Sequence, residues 1–142
     1  MNARFWHDGR WWDSQPKVLG PMDHAMWMSS SVFDGARIFD GLAPDLDRHC
    51  ERLIDSAEKM LLQPTHTAEE VRALAVEAFR QMPPDTAYYV RPMFYAMRGF
   101  VAPEPESTEF LLAVYEAPMP APEGFSVTAA PFRRPARDAA PI

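Results

Sequence analysis

Three arginines lie in apolar stretches of the sequence, where a positive charge needs a partner. Arg37 lies within the apolar run 32–39, Arg52 lies beside the apolar stripe of a predicted helix, and Arg91 interrupts the aromatic run 88–95. A guanidinium group in such a setting pairs with a carboxylate of the chain or binds an external anion. Internal pairing is the more frequent outcome. The nearest candidate partners are Asp34 or Asp40 for Arg37, and Asp55 or Glu51 for Arg52.

Other common chemistries have little support in the sequence. The four histidines, His7, His24, His49 and His66, are scattered, without ligand spacing to one another or to Cys50, so no metal site is expected. The sequence has no glycine-rich phosphate loop and no Gly-x-Ser-x-Gly nucleophile motif. These absences favour a non-catalytic module or one part of an enzyme.

Two helices are expected to position the arginines. Residues 47–62 carry apolar side chains with a period of 3.6, and residues 68–81 repeat that pattern. Thr67 and Glu70 have the spacing of a capping box, which marks the start of the second helix.

Strands are predicted by alternation, aromatic content and turn residues. Asp8-Gly9 suits the two-residue turn of a hairpin within residues 4–12. Further strands are expected at residues 36–39, 87–97, 109–116 and 125–130. Pro92 lies inside one of them, which predicts an edge position or a bulge there. The fold class is therefore α+β, a mostly antiparallel sheet with two helices packed on one side.

Length and composition restrict the class of protein further. The chain of 142 residues suits one domain, and its 15 prolines are too many for a helical bundle. We expect the domain to cover residues 1–130 and a connector to cover residues 131–142. The net charge of −6 argues against nucleic acid as a partner. With a single cysteine, no leader and no long apolar run, we expect a cytoplasmic protein that does not span a membrane.

Several segments, taken in order, resemble the class IV aminotransferases, and the branched-chain amino-acid aminotransferases in particular. The similarity covers nearly the whole chain and rests on His24-Ala25, Ser31-Val32-Phe33-Asp34-Gly35-Ala36-Arg37, His49-Cys50-Glu51-Arg52-Leu53 followed by Ser56-Ala57, and Tyr89-Val90-Arg91-Pro92. The family's counterparts read Ser-Val-Phe-Glu-Gly-Ile-Arg, His-x-x-Arg-Leu-x-x-Ser-Ala and Tyr-Ile-Arg-Pro.

The resemblance implies the small N-terminal domain of the fold-type IV enzymes, which bind pyridoxal 5'-phosphate (PLP) between this domain and a larger C-terminal one. It also implies a homodimer. Arg52 matches the arginine that binds the cofactor phosphate, a role that suits a planar guanidinium. The positions that match the substrate pocket are Phe33, Arg37, Tyr89 and Arg91. Without the resemblance, the tyrosines of this strand would be interpreted as sheet packing.

The lysine that forms a Schiff base with the cofactor in this family has no counterpart in the chain. The only lysines are Lys17 and Lys59, and neither lies at the family's position. The resemblance therefore implies that the lysine follows shortly after Ile142, so that no catalytic residue falls within these residues.

The implied reaction transfers an amino group between an aliphatic, branched-chain-like amino acid and 2-oxoglutarate. One departure leaves the substrate open: the family usually has Tyr-Gly where this chain has Met28-Ser29, and methionine cannot replace the hydrogen bond of a phenol. The alternatives are a D-amino-acid aminotransferase, an aminodeoxychorismate lyase, or a non-enzymatic binding domain.

Overall fold

A computed structural model describes residues 2–133 of the chain. The described part contains six strands, three α-helices and one 3₁₀ turn, Pro105–Ser107. The strands are β1 (Ala3–His7), β2 (Arg10–Trp12), β3 (Ser31–Phe33), β4 (Ala36–Ile38), β5 (Tyr88–Ala96) and β6 (Thr108–Glu116). The helices are α1 (His24–Met28), α2 (Leu46–Lys59) and α3 (Ala68–Arg80).

The strands form one antiparallel sheet in the order β2-β1-β6-β5-β3, with β4 pairing with β5 beyond the end of β3. The predicted α+β class is confirmed. The predicted hairpin is confirmed as well: β1 and β2 pair directly, and both turn residues have positive φ, 53° at Asp8 and 67° at Gly9.

Helices α2 and α3 pack on one face of the sheet and form the core with it. Alternate residues of β5, including Val90 and Phe94, are fully buried in the same cluster as Leu53 of α2 and Val71 of α3. The capping box is present as predicted, because the Thr67 side chain accepts from the backbone N–H of Glu70 while the Glu70 carboxylate accepts from that of Thr67. Each helix therefore contributes an apolar stripe to one core.

Pro92 lies in an interior strand, so the expected edge or bulge position is wrong. It pairs with Leu112 of β6 on one side, and on the other side its carbonyl accepts a hydrogen bond from Asp34 N at 3.3 Å. In an antiparallel ladder the N–H of a residue points to the same neighbour as its C=O. The missing N–H of Pro92 therefore falls opposite residues 34–35, where the neighbouring strand is interrupted between β3 and β4.

The strand predicted at residues 125–130 is also wrong. These residues are exposed and make no ladder, and Phe125 and Val127 keep 81% and 82% of their surface. β-propensity describes how well a side chain fits a sheet, and no strand of the described part pairs with this segment. The short helix α1, in contrast, had no sequence signal, since five residues are too few to show a helical period.

The proposed boundary at residue 130 stays a prediction, and most of the expected connector lies outside the described residues. In the described part of the chain no helix has both the length and the hydropathy to cross a bilayer.

Candidate functional site

Arg52 forms a two-point ion pair with Asp34 at the edge of the sheet. Its Nε donates to Asp34 Oδ2 at 2.6 Å and its Nη2 donates to Asp34 Oδ1 at 2.7 Å. The Asp34 side chain is 8% exposed, whereas that of Arg52 is 61% exposed. The expected pairing with Asp55 or Glu51 is therefore wrong, and the guanidinium is not embedded in the apolar stripe. The structure instead presents it to solvent on a buried carboxylate.

Two further donors hold the Asp34 carboxylate. The backbone N–H of Gly35 donates to Oδ1 at 2.7 Å, and His49 Nδ1 lies 2.7 Å from the same oxygen. Because an ionised carboxylate only accepts hydrogen bonds, we assign the proton of the His49 ring to Nδ1. Burial opposes ionisation of Asp34, but the hydrogen bonds from Arg52 and His49 outweigh it, so the pKa of the carboxyl lies below its usual value.

The ion pair leaves one side of the Arg52 guanidinium free. Nε and Nη2 face Asp34, Nη2 also lies 3.0 Å from His49 Nδ1, and Nη1 has no hydrogen-bond partner within residues 2–133. A planar guanidinium can bind two anions along two of its edges. The arrangement therefore offers a fixed, exposed cationic edge to a second anion.

Asp34 lies where the neighbouring strand is interrupted beside Pro92, and strand alternation sets the direction of its side chain. By alternation from Val32 and Ala36, residue 34 points to the helix-bearing face of the sheet, and α2 packs there. Asp34 therefore faces α2, whose residues 49 and 52 lie one turn apart on the same side.

The four residues matched to the substrate pocket share the opposite face of the sheet. Arg37 and Tyr89 are register partners, Phe33 pairs with Met93, and Arg91 lies between these two pairs. Phe33 is 59% exposed, so this end of the face is open. The structure brings Phe33, Arg37, Tyr89 and Arg91 to one surface and places the partner of Arg52 on the other. The pocket-matched residues and the Arg52–Asp34 pair are connected through the chain segment Asp34-Gly35.

Arg91 has no anionic partner in the described chain. Its Cζ lies 5.2 Å from the centre of the Tyr115 ring, and its Nε is buried without a hydrogen bond. No carboxylate oxygen among the described residues lies within 4.0 Å of its guanidinium. A partly buried cation without a carboxylate partner suits an external anion such as a carboxylate.

Arg37 pairs with backbone oxygens instead of carboxylates. Its Nη2 donates to the carbonyls of Ala117 and Pro118, at 3.0 Å each. The expected pairing with Asp34 or Asp40 is wrong. Arg37 therefore links β4 to the segment that follows β6 and keeps its charge available on that face.

Tyr89 depends on the absence of a side chain at residue 35. A Cβ on Gly35 would meet the Tyr89 hydroxyl and would lie 2.6 Å from its Cζ. The Tyr89 ring also lies 5.6 Å from that of Tyr115. Gly35 and Tyr115 thus confine the ring from two sides.

Sequence reasoning gave no role to His49 or Tyr115, and it offered Asp34 only as a candidate partner of Arg37, although Asp34 and His49 both lie inside the quoted motifs. Alternation along residues 32–36 was an available signal, since it turns Asp34 inward among apolar neighbours. A buried carboxylate needs a cation, and that requirement points to the helix opposite. Tyr115 gave no comparable signal.

Three known proteins match between about two thirds and nearly all of this chain. The amino-transferase class IV family model matches residues 31–141. The crystal structure of an aminotransferase from Brucella abortus bound to the cofactor PLP superposes with a TM-score of 0.93 and 42% identity, covering 99% of this chain and 51% of that one.

Two curated relatives are similar in sequence. A probable branched-chain-amino-acid aminotransferase of Rickettsia bellii is 25% identical over 96% of this chain and 48% of its own length. The branched-chain-amino-acid aminotransferase of Pseudomonas aeruginosa is 34% identical over 66% of this chain and 32% of its own length. The chain spans about half the length of the Brucella and Rickettsia proteins.

Proposed function

Because this chain belongs to the amino-transferase class IV family, we propose that it forms the N-terminal part of a PLP-dependent aminotransferase. The proposed reaction moves an amino group between an aliphatic, branched-chain-like amino acid and 2-oxoglutarate. The relatives with branched-chain-amino-acid names and the PLP-bound Brucella structure support the substrate class and the cofactor.

One observation carries the cofactor assignment: the Arg52 guanidinium is exposed and held on a buried carboxylate, with Nη1 unpartnered in residues 2–133. A phosphate ester needs a charge-assisted donor of this kind, in a fixed orientation. Arg52 would hold the phosphate of PLP. When bound, the cofactor supplies the carbonyl group and the electron-withdrawing ring that amino transfer requires.

The opposite face of the sheet supports the substrate assignment. Arg91, which has no carboxylate partner among the described residues, would bind a substrate carboxylate, and Arg37 would add a second positive charge on the same face. The exposed ring of Phe33 and the confined ring of Tyr89 would contact an aliphatic side chain. Both cations suit an acidic 2-oxo acid as the second substrate.

The covalent attachment to the cofactor needs a lysine, and neither lysine of this chain suits the role. Lys59 pairs with Asp55 at 2.6 Å on the outer side of α2, and Lys17 is an exposed residue before α1. We propose that the lysine lies in polypeptide outside these 142 residues. The covalent and proton-transfer steps would then belong to that part, while this domain binds and orients the phosphate and the carboxylate.

A homodimer in the cytoplasm is part of the same proposal. An exposed apolar patch supports the dimer: Met26, Trp27, Phe100 and Val101 keep 62%, 48%, 78% and 79% of their surface, with the Trp27 and Phe100 rings 6.4 Å apart. Covering such a patch would remove apolar surface from water.

The test uses the complete protein purified with PLP. It is given L-leucine, L-isoleucine or L-valine together with 2-oxoglutarate, and glutamate is measured. Glutamate formation from these donors supports the proposal, and failure with every donor contradicts it. Because of the departure at Met28-Ser29, the panel also tests two alternative activities. Amino transfer from D-alanine alone would identify a D-amino-acid aminotransferase. Release of pyruvate from aminodeoxychorismate without an amino acceptor would identify a lyase.

A further inference from the structure

We propose that Asp34 is a positioning residue: its carboxylate fixes the Arg52 guanidinium so that the free edge meets the cofactor phosphate. This inference rests on the proposed function, in which Arg52 holds that phosphate. Asp34 itself would not contact the cofactor.

Arg52 is largely exposed, so its orientation depends on its hydrogen bonds. A side chain with 61% of its surface in solvent samples many rotamers unless something holds it. Two parallel hydrogen bonds, from Nε at 2.6 Å and Nη2 at 2.7 Å, fix both the position and the plane of the guanidinium. Asp34 therefore removes the freedom that binding a phosphate would otherwise have to remove.

Asp34 is itself fixed. Its carboxylate is 8% exposed and receives hydrogen bonds from Gly35 N and His49 Nδ1, both at 2.7 Å. The backbone beside it is held by the bond from Asp34 N to Pro92 O. Arg52 is thus attached to the sheet through a carboxylate that cannot easily turn away.

On electrostatic grounds alone, Asp34 would have the opposite effect. A carboxylate beside Arg52 cancels much of its charge and could compete with the phosphate for the same donors. The geometry opposes this, because Asp34 occupies the Nε side and leaves Nη1 free in residues 2–133. The two effects predict changes of opposite sign when the carboxylate is replaced.

The experiment measures equilibrium binding of PLP and of pyridoxal, which lacks the phosphate, to the complete protein. In Asp34→Asn we expect PLP affinity to fall roughly tenfold, the lower end of the loss seen when a hydrogen-bond support is removed from a metal ligand. Pyridoxal affinity should stay unchanged, so the ratio of the two affinities falls. Asp55→Asn, which removes an exposed carboxylate of α2, is the matched control and should leave the ratio unchanged.

Arg52→Ala separates this inference from the proposed function. If Arg52→Ala leaves the ratio unchanged, Arg52 does not hold the phosphate and both proposals fail. If Arg52→Ala lowers the ratio while Asp34→Asn does not, only the positioning role of Asp34 is overturned. A higher ratio in Asp34→Asn would mean that Asp34 competes with the phosphate, and it would also overturn the inference.

A second variant covers the case in which Asp34→Asn does not fold. His49→Ala removes one of the donors that hold the Asp34 carboxylate, at a position that is 24% exposed. It should lower the same ratio by a smaller factor. An unchanged ratio in a folded His49→Ala protein would then overturn the inference.

Discussion

The phenol of Tyr89 lies directly over Gly35, in the space that any larger residue would need for its Cβ. Gly35 has no left-handed backbone conformation, so its role is to leave room for the tyrosine. The same dipeptide places Asp34 against Arg52 on the other face. Residues 34 and 35 therefore connect the two halves of the candidate site.

Replacing Gly35 by alanine should displace the Tyr89 ring. A Cβ there would lie 2.6 Å from Tyr89 Cζ, so the ring or the strand must shift. We expect a loss of about 1–3 kcal/mol in the free energy of unfolding, which is typical of overpacking. Denaturant titration of the protein measures it.

Gly20→Ala is the matched control, since a Cβ at that glycine would meet only Asp23 Oδ2, at 3.5 Å. It should change stability little. Combining Gly35→Ala with Tyr89→Ala should cost less than the sum of the single changes, and strict additivity would contradict the steric account.

Replacing Leu61 by glycine should stabilise the protein. Leu61 has φ 60° after α2, and the bonds from Leu61 N to Glu58 O and from Leu62 N to Ala57 O form a Schellman motif around it. A left-handed residue with a Cβ costs roughly 1–2 kcal/mol, so we expect a gain of about 1 kcal/mol. The 60% exposure of this leucine means that little burial is lost.

The thermal midpoint of the variant gives the measurement. Leu61→Ala shortens the side chain but keeps the Cβ, and it should bring no gain. Equal stabilisation by alanine and glycine would show that backbone strain is not the cause.

The Asp34 ion pair should stabilise the protein only while Asp34 is ionised. The pKa of this carboxyl in the folded protein lies below the ordinary value of 3.8, so its contribution is complete above that value. The contribution is lost as the pH falls through the lower, folded-state pKa. The stability difference between the native protein and Asp34→Asn should therefore be constant near neutral pH and shrink below about pH 4. Urea titrations from pH 3 to 7 measure it, and a difference that grows on acidification would be inconsistent with this sign.

Arg37 should restrain the segment after β6. Its Nη2 donates to the carbonyls of Ala117 and Pro118, and a hydrogen bond from a charged group contributes about 1.5–3 kcal/mol. In Arg37→Ala we expect roughly tenfold faster hydrogen exchange at the Ala117 amide, which bonds to Ala87 O.

Mass spectrometry or NMR measures that exchange rate. Arg98→Ala removes an exposed arginine that pairs with Glu104, and it serves as the control because it leaves residues 117–118 untouched. Equal protection of Ala117 in both variants would show that Arg37 does not restrain the segment.

Local features of the fold were predictable from the sequence. The Asp8-Gly9 turn and the Thr67–Glu70 capping box each depend on residues a few positions apart, and both are present. The stripes of the two long helices follow from a single period, and their packing on one sheet face follows from having one apolar side each.

Features that depend on distant partners were not predictable in the same way. Arg52 pairs with a carboxylate 18 positions earlier, across the sheet edge, whereas local spacing pointed to Asp55 or Glu51. Likewise, residues 125–130 have β-propensity, but a strand also needs a neighbour with free backbone groups, and none lies beside them in the described chain. The topology of the sheet decides which residues pair at the site, and the topology cannot be derived from local spacing in a single sequence.

A crystal structure of the complete protein with PLP tests the central claim most directly. We predict that Arg52 keeps its two bonds to Asp34 and donates from its free edge to a phosphate oxygen, at about 2.7–2.9 Å. A phosphate bound elsewhere, with Arg52 paired to Asp34 alone, would contradict the account.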